Sequence, residues 1–195
     1  MKKTVYLIWA IFIIISAFGL QSCGDDESGR EAFSPESGAY KIMLNPEEWE
    51  IITLSSDQSP NQLVLFSSTG EFIIMADCYG KTGLSDVGVS DIDGFPEFYK
   101  TFENGKNIYE NPESISTIVG DLTEIAKKEI KNSAATAGKR QTVKLTSDGG
   151  AEVLNEVIYL ESENHFFAVS YGTFPEKFDD IQKSVNDVIA HIKTD

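Results

Sequence analysis

The two histidines and Cys78 are the residues best suited to acid–base or nucleophilic chemistry. His165 and His191 could each act as a general base, but neither has a sequence-local nucleophile or an orienting carboxylate. We therefore predict that both lie at the surface or at a rim. Cys78 would need a cationic neighbour to lower its thiol pKa, and Lys81 is the one nearby candidate. Because Cys78 is in phase with the apolar residues before it, a small buried side chain is the better interpretation.

Short motifs for phosphate and metal binding are incomplete in this chain. Gly80-Lys81-Thr82 is similar to the end of a phosphate-binding loop, but Met75 stands where that loop needs its first glycine. Asp86, Asp91 and Asp93 lie in one glycine-rich stretch. Asp91-x-Asp93-Gly94 is similar to part of a calcium loop, but the other ligand positions of such a loop are absent. Helix capping explains these carboxylates better, and weak calcium binding stays the alternative. We predict no catalytic residue, no metal site and no cofactor.

The N-terminal residues have the pattern of an export signal. Lys2 and Lys3 precede Val5–Leu20, an apolar run of 16 residues. This run is shorter than the roughly 20 residues that span a bilayer, and it is typical of a signal peptide. The small residue Ser22 and then Cys23 follow the run, which places a nucleophilic thiol directly after the export signal.

The segment Leu20-Gln21-Ser22-Cys23 resembles the lipobox of bacterial lipoproteins, with Gln21 as a less common choice at its position. The resemblance implies that a lipoprotein signal peptidase recognises Leu20, Gln21 and Ser22 and cuts before Cys23. It also implies a diacylglyceryl thioether on Cys23. Two or three acyl chains, at about 0.8 kcal/mol per buried CH₂, would anchor the protein stably to a membrane. The alternative is an uncleaved membrane helix followed by an incidental cysteine.

The residues after Cys23 bear on localisation. In lipoproteins of diderm bacteria, the usual inner-membrane retention signal is an aspartate directly after the cysteine, and this chain has Gly24 there. Asp25-Asp26-Glu27 resembles the acidic surface-export signal of some diderm lipoproteins. A solvated linker is the other interpretation of these acidic residues. We predict a lipid-anchored protein that faces outside the cytoplasm, at the outer membrane or cell surface if the host is diderm.

The charge of the chain excludes some classes of partner, and its cysteine content excludes stabilisation by an internal disulfide. The chain has a formal charge of −15, and removal of the leader with its two lysines leaves −17. Such a surface repels phosphate backbones and anionic headgroups, so we predict no nucleic acid binding. Cys78 is the one cysteine beyond Cys23, so an internal disulfide cannot form in the mature chain. The fold must therefore depend on its hydrophobic core.

Composition divides the chain into three parts. Residues 1–22 form the predicted signal peptide, and residues 23–38 contain the lipidated cysteine and a polar, acidic stretch with one large apolar side chain, Phe33. Because that stretch cannot bury much apolar surface, it predicts a flexible tether. Residues 39–195 are of a normal size for a single globular domain.

Strand signals recur along the globular part. They comprise a first strand at 40–44, a second at 49–54 with a polar turn at 55–61, a hairpin at 62–66 and 71–76, and a meander at 141–146, 152–161 and 166–174. Both runs of the hairpin are apolar without clean alternation, which predicts that the sheet is covered on both faces.

Helix signals fall between and after these strands. A loop is predicted at 80–94, followed by a short helix from near Asp93 to Asn104-Gly105. Asn111-Pro112 predicts the start of a second helix, whose apolar positions have helical spacing: Ile115, Ile118, Val119, Leu122, Ile125, Ala126 and Ile130. The segment Thr173–Glu176 is typical of a capping box and predicts a final amphipathic helix.

The order of these elements resembles the PsbP/Mog1-like fold. The start of the domain is similar as well, because Tyr40-x-Ile42 followed by Pro46-Glu47-Glu48-Trp49 matches a strand and a Pro-x-x-Trp motif common in those domains. The resemblance covers residues 39–195. It implies an α/β (α+β) fold in which an antiparallel sheet of about six strands is sandwiched by helices, with a C-terminal amphipathic helix. It also implies binding or assembly of other proteins, with no shared catalytic residues.

The sequence therefore favours a non-enzymatic binding or assembly module, held to the membrane by Cys23, with a protein partner in the cell envelope. The loop at 80–94 and the polar segment 104–111 are the predicted binding edges, because functional contacts concentrate on loops. Capture of a small ligand or cation is one alternative. A hydrolase with a site assembled only in space is the other.

Overall fold

The computed structural model describes residues 29–52 and 61–194, and its central element is a seven-stranded sheet. Every neighbouring pair in this sheet is antiparallel, and the spatial order is β3-β4-β5-β9-β8-β7-β6. The strands are β3 (Trp49–Ile52), β4 (Gln62–Ser67), β5 (Ile73–Gly80), β6 (Ser114–Glu124), β7 (Ala137–Ser147), β8 (Glu152–Glu161) and β9 (His165–Thr173).

A small sheet and four helices cover the two faces of the large sheet. The small sheet has the order β1-β2-β10 and consists of β1 (Glu31–Phe33), β2 (Lys41–Leu44) and β10 (Ile192–Lys193). The helices are α1 (Lys81–Ser85), α2 (Phe95–Tyr99), α3 (Glu103–Tyr109) and α4 (Phe178–Ala190). A 3₁₀ turn at Pro175–Lys177 leads into α4. The predicted antiparallel sheet between helical layers, with its C-terminal amphipathic helix, is confirmed.

Two hydrophobic clusters lie on opposite faces of the large sheet. On one face, α4 and the small sheet pack against side chains such as Phe167 and Val169 of β9. On the other, α1, α2 and α3 pack against Phe166, Ala168 and Tyr159. Adjacent residues of a strand point to opposite faces, so a strand buried on both sides has no clean polar alternation. The continuous apolar runs in the sequence have this cause.

The segment after Pro112 is a strand, and the predicted helix at this position is wrong. Ser114–Glu124 pairs with β7 from Ser114 opposite Ser147 to Glu124 opposite Lys139. Its β-branched residues favour extended backbone. Gly120 has a φ of 82°, which an α-helix does not allow, and it lies in the irregular register between Val119 and Thr123. The segment is therefore a strand interrupted by a bulge, and the helical spacing of its apolar residues is a coincidence.

The stretch predicted as a loop contains α1, and Asn104-Gly105 continues a helix where the sequence predicted an end. Tyr99 ends α2, and α3 starts four residues later at Glu103. Gly105 lets the two helices approach closely, since a Cβ at this position would lie 2.1 Å from the carbonyl oxygen of Tyr99. The glycine therefore serves packing inside a helix.

Two predictions at the ends of the domain also need correction. Thr173 is not a helix cap, because it belongs to β9 and is buried, and Phe174 precedes the 3₁₀ turn without a side-chain hydrogen bond. The predicted tether at 23–38 is too long, because β1 pairs with β2 and Phe33 packs against the core. Arg30 also donates two hydrogen bonds to Asp187 of α4, at 2.9 and 3.0 Å. These contacts extend the fold to residues before 39.

The first two strand predictions agree with the structure over the described residues. β2 lies within the predicted segment 40–44, and β3 covers Trp49–Ile52. The last residues of the predicted strand 49–54, and the turn after it up to residue 60, lie outside the described residues. The hairpin of β4 and β5, the meander of β7, β8 and β9, and the apolar stripe of α4 are confirmed.

Candidate binding surfaces

Cys78 lies in the core, as the sequence predicted. The thiol is buried among apolar residues of the cluster under α4. Burial raises its pKa to about 12, and the neighbouring Asp77 carboxylate adds to this effect. The ammonium of Lys81 pairs with Glu161 at 2.6 Å. A thiol with so high a pKa is almost entirely protonated at neutral pH, which removes its nucleophilic form.

The two histidines lie apart from each other in the fold. His165 begins β9 beside Phe167, and its Nδ1 is buried without a hydrogen-bond partner in the part of the chain that the structure describes. His191 follows the C-terminus of α4, where its Nδ1 lies 2.7 Å from the carbonyl oxygen of Asp187. Neither ring contacts a serine, threonine or cysteine side chain among its hydrogen bonds to described residues. The structure thus gives neither histidine a nucleophile to activate.

The three aspartates of the glycine-rich stretch have separate surroundings. The Asp91 carboxylate accepts hydrogen bonds from the backbone amides of Asp93 and Gly94, both at 3.1 Å. Asp93 pairs with Lys139 of β7, and Asp86 follows the last residue of α1. Among the described residues no group of three His, Cys, Asp or Glu side chains could hold a metal ion. The Asp91 contacts are those of a turn at the entrance to α2.

A buried polar network lies between α4 and the meander. Glu156 of β8 is 1% exposed and accepts hydrogen bonds from Tyr171 at 3.1 Å and from Gln182 at 2.8 Å. A guanidinium nitrogen of Arg140 lies 3.6 Å from the same carboxylate, and the other donates to Asn186 at 3.0 Å. Burial raises the pKa of Glu156, and Arg140 and the two hydrogen bonds oppose the increase without cancelling it.

Glu156→Gln is expected to stabilise the protein at neutral pH. Because the folded-state pKa lies above the unfolded value, the folded state holds the Glu156 proton more tightly. This contribution to stability is full below the unfolded pKa and is lost as the pH rises through the raised pKa. Glutamine removes that loss. Its amide oxygen can accept from Gln182, and its amide nitrogen can donate to the Tyr171 hydroxyl oxygen.

The measurement is thermal unfolding of both proteins from pH 4 to pH 8. The variant should unfold at the higher temperature at pH 8, and the difference should shrink toward pH 4. Exposed Glu163 lies in the turn before β9, and Glu163→Gln is the matched control. A Glu156→Gln variant that is less stable than the wild type at pH 8 would show that the Arg140 pair outweighs desolvation.

The large sheet ends in two very different edges. The described part of β3 has four residues, whereas β6 has eleven and, among the described residues, pairs on one side only, with β7. Three large apolar side chains of β6 are exposed: Ile115 at 70%, Ile118 at 50% and Val119 at 47%. The flanking Glu113, Asp121 and Glu124 are exposed as well. Long edge strands with apolar side chains are uncommon in free proteins because their open backbone groups pair with other chains.

A cavity of about 340 Å³ lies on the side of the sheet that α1, α2 and α3 cover only in part. Its apolar walls include Phe66 of β4, Met75 of β5 and Ile108 of α3. Asn155 of β8 and Ser170 of β9 contribute its polar lining. Ile108 belongs to the segment 104–111, so one of the two predicted binding edges does border a cavity.

The helical layer beside this cavity is tied to the sheet through Asp77. The carboxylate accepts hydrogen bonds from Gln62 of β4 at 2.8 Å and from the Tyr99 hydroxyl at 3.3 Å. Burial and the Asp77 charge raise the pKa of Tyr99, so its hydroxyl remains a proton donor at every physiological pH. This bond fixes the end of α2 over the middle of the sheet.

Leu20, Gln21, Ser22 and Cys23 lie outside the described residues. Over the described residues, no helix combines the length and apolar character that a membrane crossing requires.

Comparison with known proteins identifies the fold. No protein-family model and no curated protein sequence matches the chain. The Saccharomyces cerevisiae Ran-binding protein Mog1p is similar in structure, with a TM-score of 0.55 and 10% identity, over 85% of this chain and 95% of Mog1p. The cyanobacterial PsbP protein (CyanoP) of Synechocystis sp. PCC 6803 has a TM-score of 0.53 and 12% identity, over 90% of this chain and 99% of CyanoP. The chain therefore has the Mog1/PsbP-like fold that its sequence resembled.

The sequence did not predict the β6 edge, and it predicted the cavity only through the segment 104–111, which contributes Ile108. The β-branched run before Gly120 was the available signal for the edge strand, and helical spacing obscured it. The rest of the cavity had no signal, because Phe66, Asn155 and Ser170 are far apart in the chain and meet only in the folded sheet.

Proposed function

We propose that this chain is a lipid-anchored, non-enzymatic module of the bacterial cell envelope that binds a partner protein by strand addition at β6. The exposed eleven-residue edge strand carries this proposal. The opposite edge strand, β3, has four described residues and carries exposed Glu50, whose charge makes it a poorer template for pairing.

The side chains of β6 define the chemistry of the partner. Ile115 and Val119 lie on one face of the strand and Ile118 on the other, since successive side chains alternate. A partner strand with apolar residues would cover all three, and main-chain hydrogen bonds would supply much of the affinity. Exposed acidic residues lie on both sides of the apolar residues: Glu113 precedes the strand, and Asp121 and Glu124 belong to its last part. They favour a partner segment with basic residues at its ends.

The lipid on Cys23 would hold the domain close to the membrane. Five residues separate Cys23 from Gly29, where the described residues begin. Such a segment spans at most about 20 Å even when fully extended. So short a connection holds the domain near the membrane, which favours a partner in that membrane or bound to its surface.

The fold comparison supports a protein partner. Mog1p, which shares the architecture, is a Ran-binding protein. Protein binding by this architecture therefore has a precedent, and the buried, protonated Cys78 thiol is a poor nucleophile.

Val119→Glu is expected to abolish partner capture. A carboxylate on the open edge adds negative charge beside Asp121 and opposes the apolar pairing. We expect the yield of co-purified envelope proteins, captured after crosslinking in intact cells, to fall at least about tenfold. The unfolding temperature should stay near the wild-type value, because Val119 is already half exposed.

Val87→Glu is the matched control. Val87 is 61% exposed in the stretch 80–94, the other predicted binding edge, so the same substitution is made at a distant site. Undiminished capture by Val87→Glu supports β6 as the interface. Loss of capture by Val87→Glu with full capture by Val119→Glu would move the interface to that stretch and overturn the proposal.

A further inference from the structure

A group of five lysines lies in two neighbouring parts of a chain that is strongly acidic as a whole. Three lysines belong to the segment 125–136, which joins β6 to β7, and two belong to the small sheet: Lys127, Lys128, Lys131, Lys41 and Lys193. Lys41 and Lys193 are cross-strand neighbours on β2 and β10. We call these five residues the basic patch. Its charge is opposite in sign to that of the mature chain, which without Lys2 and Lys3 has a formal charge of −17.

Hydrogen bonds and a buried side chain hold the segment 125–136 beside the small sheet. Ala134 donates its backbone N–H to a carbonyl oxygen of β10 at 2.7 Å. Lys193 of β10 donates from Nζ to the carbonyl oxygen of Asn132. Ile130 is buried in the core under α4. The segment therefore presents its lysines from a backbone that is fixed to the fold.

The lysines of this segment are available to another molecule. Lys127, Lys128 and Lys131 are exposed, and none of them forms an ion pair with a described residue. The acidic residue between them, Glu129, accepts a hydrogen bond from a backbone amide at 3.1 Å and lies 3.9 Å from Arg140. Its carboxylate is thus directed to partners within the protein.

Screening lets the local charge of the patch act in spite of the net charge of the chain. Exposed charges that are farther apart than a Debye length, about 8 Å at physiological ionic strength, interact weakly. The segment and the end of β6 before it contain two carboxylates, Glu124 and Glu129, against the five lysines of the patch. A surface in contact with the patch therefore meets an excess of positive charge.

The small sheet is also the part of the described fold that follows the proposed lipid anchor most closely in the chain. β1 begins at Glu31, eight residues after Cys23. Phe33 of β1 pairs with Ile42 of β2, which is the neighbour of Lys41. Because adjacent strands lie about 4.8 Å apart, both lysines of the small sheet lie within roughly 10 Å of β1.

We propose that the basic patch contacts anionic lipid headgroups of the membrane that holds the anchor, and that it turns the small sheet towards that membrane. This inference rests on the lipidation of Cys23 in the proposed function. The lipid supplies the anchoring, and the lysines supply the orientation through attraction to the headgroups. The Glu124 end of β6 then lies towards the membrane, and the Ser114 end lies roughly 30 Å farther along the strand.

Fluorescence quenching in vesicles tests this orientation with the lipidated mature protein. Asn132→Cys carries a fluorophore beside the patch, and Asp148→Cys carries it in the turn between β7 and β8, at the other end of β7. Cys78 is buried, so the label goes to the introduced cysteine. The vesicles contain phosphatidylcholine with a spin-labelled headgroup as the quencher, with or without phosphatidylglycerol.

We expect the anionic lipid to increase the quenching at position 132 at least about threefold and to leave position 148 almost unquenched. High salt should reduce the increase, because it screens the attraction between lysines and headgroups.

Two triple variants separate the position of the lysines from the net charge. The first removes the three exposed lysines of the patch: Lys127→Gln, Lys128→Gln and Lys131→Gln. The second removes three exposed lysines outside it: Lys106→Gln, Lys177→Gln and Lys183→Gln. Both variants lose the same charge. Quenching at position 132 in anionic vesicles should fall to the level of neutral vesicles in the first variant and stay at the wild-type level in the second.

Sedimentation with the same vesicles distinguishes failure of this inference from failure of the proposed anchor. A lipidated protein sediments with neutral vesicles, since insertion of acyl chains needs no charge. Absence of sedimentation there would overturn the anchor and, with it, the orientation that we infer.

Three results in a protein that does sediment would overturn the inference alone. The first is equal quenching at position 132 in neutral and anionic vesicles, and the second is stronger quenching at position 148 than at position 132. The third is unchanged quenching in the first triple variant together with loss of partner capture in cells, which would assign the patch to a protein partner.

Discussion

Cys23→Ala is expected to abolish lipidation and cleavage before residue 23, so that the protein keeps residues 1–22 and carries no lipid. The thiol is the attachment point for the proposed diacylglyceryl group, and alanine offers no nucleophile to replace it. Two or more acyl chains give effectively permanent anchoring, whereas a single chain of myristoyl length is marginal.

Detergent phase partitioning and intact mass measure this outcome. The wild type should enter the detergent phase with a mass that includes the lipid and lacks residues 1–22. Cys78→Ala is the control, because that thiol is buried in the core and is not part of the lipobox. A Cys23→Ala protein that is still processed and still enters the detergent phase would contradict lipidation at this position.

Phe95→Ala is expected to cost about 3–5 kcal/mol of folding free energy. The ring of Phe95 is fully buried and stacks on Phe166 at 4.9 Å between centroids. Tyr79 and Tyr159 contact the same ring edge-on, at 5.6 and 5.9 Å. Its removal leaves a void between α2 and the sheet at the centre of the aromatic cluster.

Thermal or urea unfolding measures this loss, which corresponds to a decrease in Tm of roughly 10 °C for a domain of this size. Phe174→Ala is the matched control, since that ring is 56% exposed before the 3₁₀ turn and its loss should cost less than about 0.5 kcal/mol. Equal destabilisation by the two substitutions would contradict the packing of α2 against the sheet.

The parts of the fold that sequence predicted well are those in which neighbouring residues determine the outcome. The strands β8 and β9 are long β-rich runs separated by a polar turn, and α4 has its apolar residues at helical spacing. In each case the local pattern and the burial in the final structure agree. Local consistency of this kind makes an element predictable.

The errors occurred where tertiary contacts decide between two local choices. The residues Ile115, Ile118 and Val119 fit a helical stripe, yet in the structure they are exposed, and pairing with β7 fixes the segment as a strand. The segment at 31–33 was too polar to predict as ordered. Its order comes from pairing with β2 and from the contact of Arg30 with Asp187, 157 residues away in the chain.

Neither binding surface could have been derived from spacing. An edge strand is defined by its place in the sheet, and the position of β6 follows from the order of seven strands. The cavity is defined by the extent of the helical layer, whose last helix, α3, contributes Ile108 to the lining beside residues of β4, β5, β8 and β9. The sequence predicted the class of fold, and the folded sheet defines both candidate surfaces.

Site-specific photo-crosslinking in the source cells would test β6 as the interface most directly. Benzoylphenylalanine replaces Ile118 in one variant and Glu50, on the opposite edge strand, in another. We expect one or two recurring envelope proteins to be crosslinked from position 118 and absent from position 50. Crosslinks from position 50 with none from position 118 would contradict strand addition at β6 and assign binding to the other edge of the sheet.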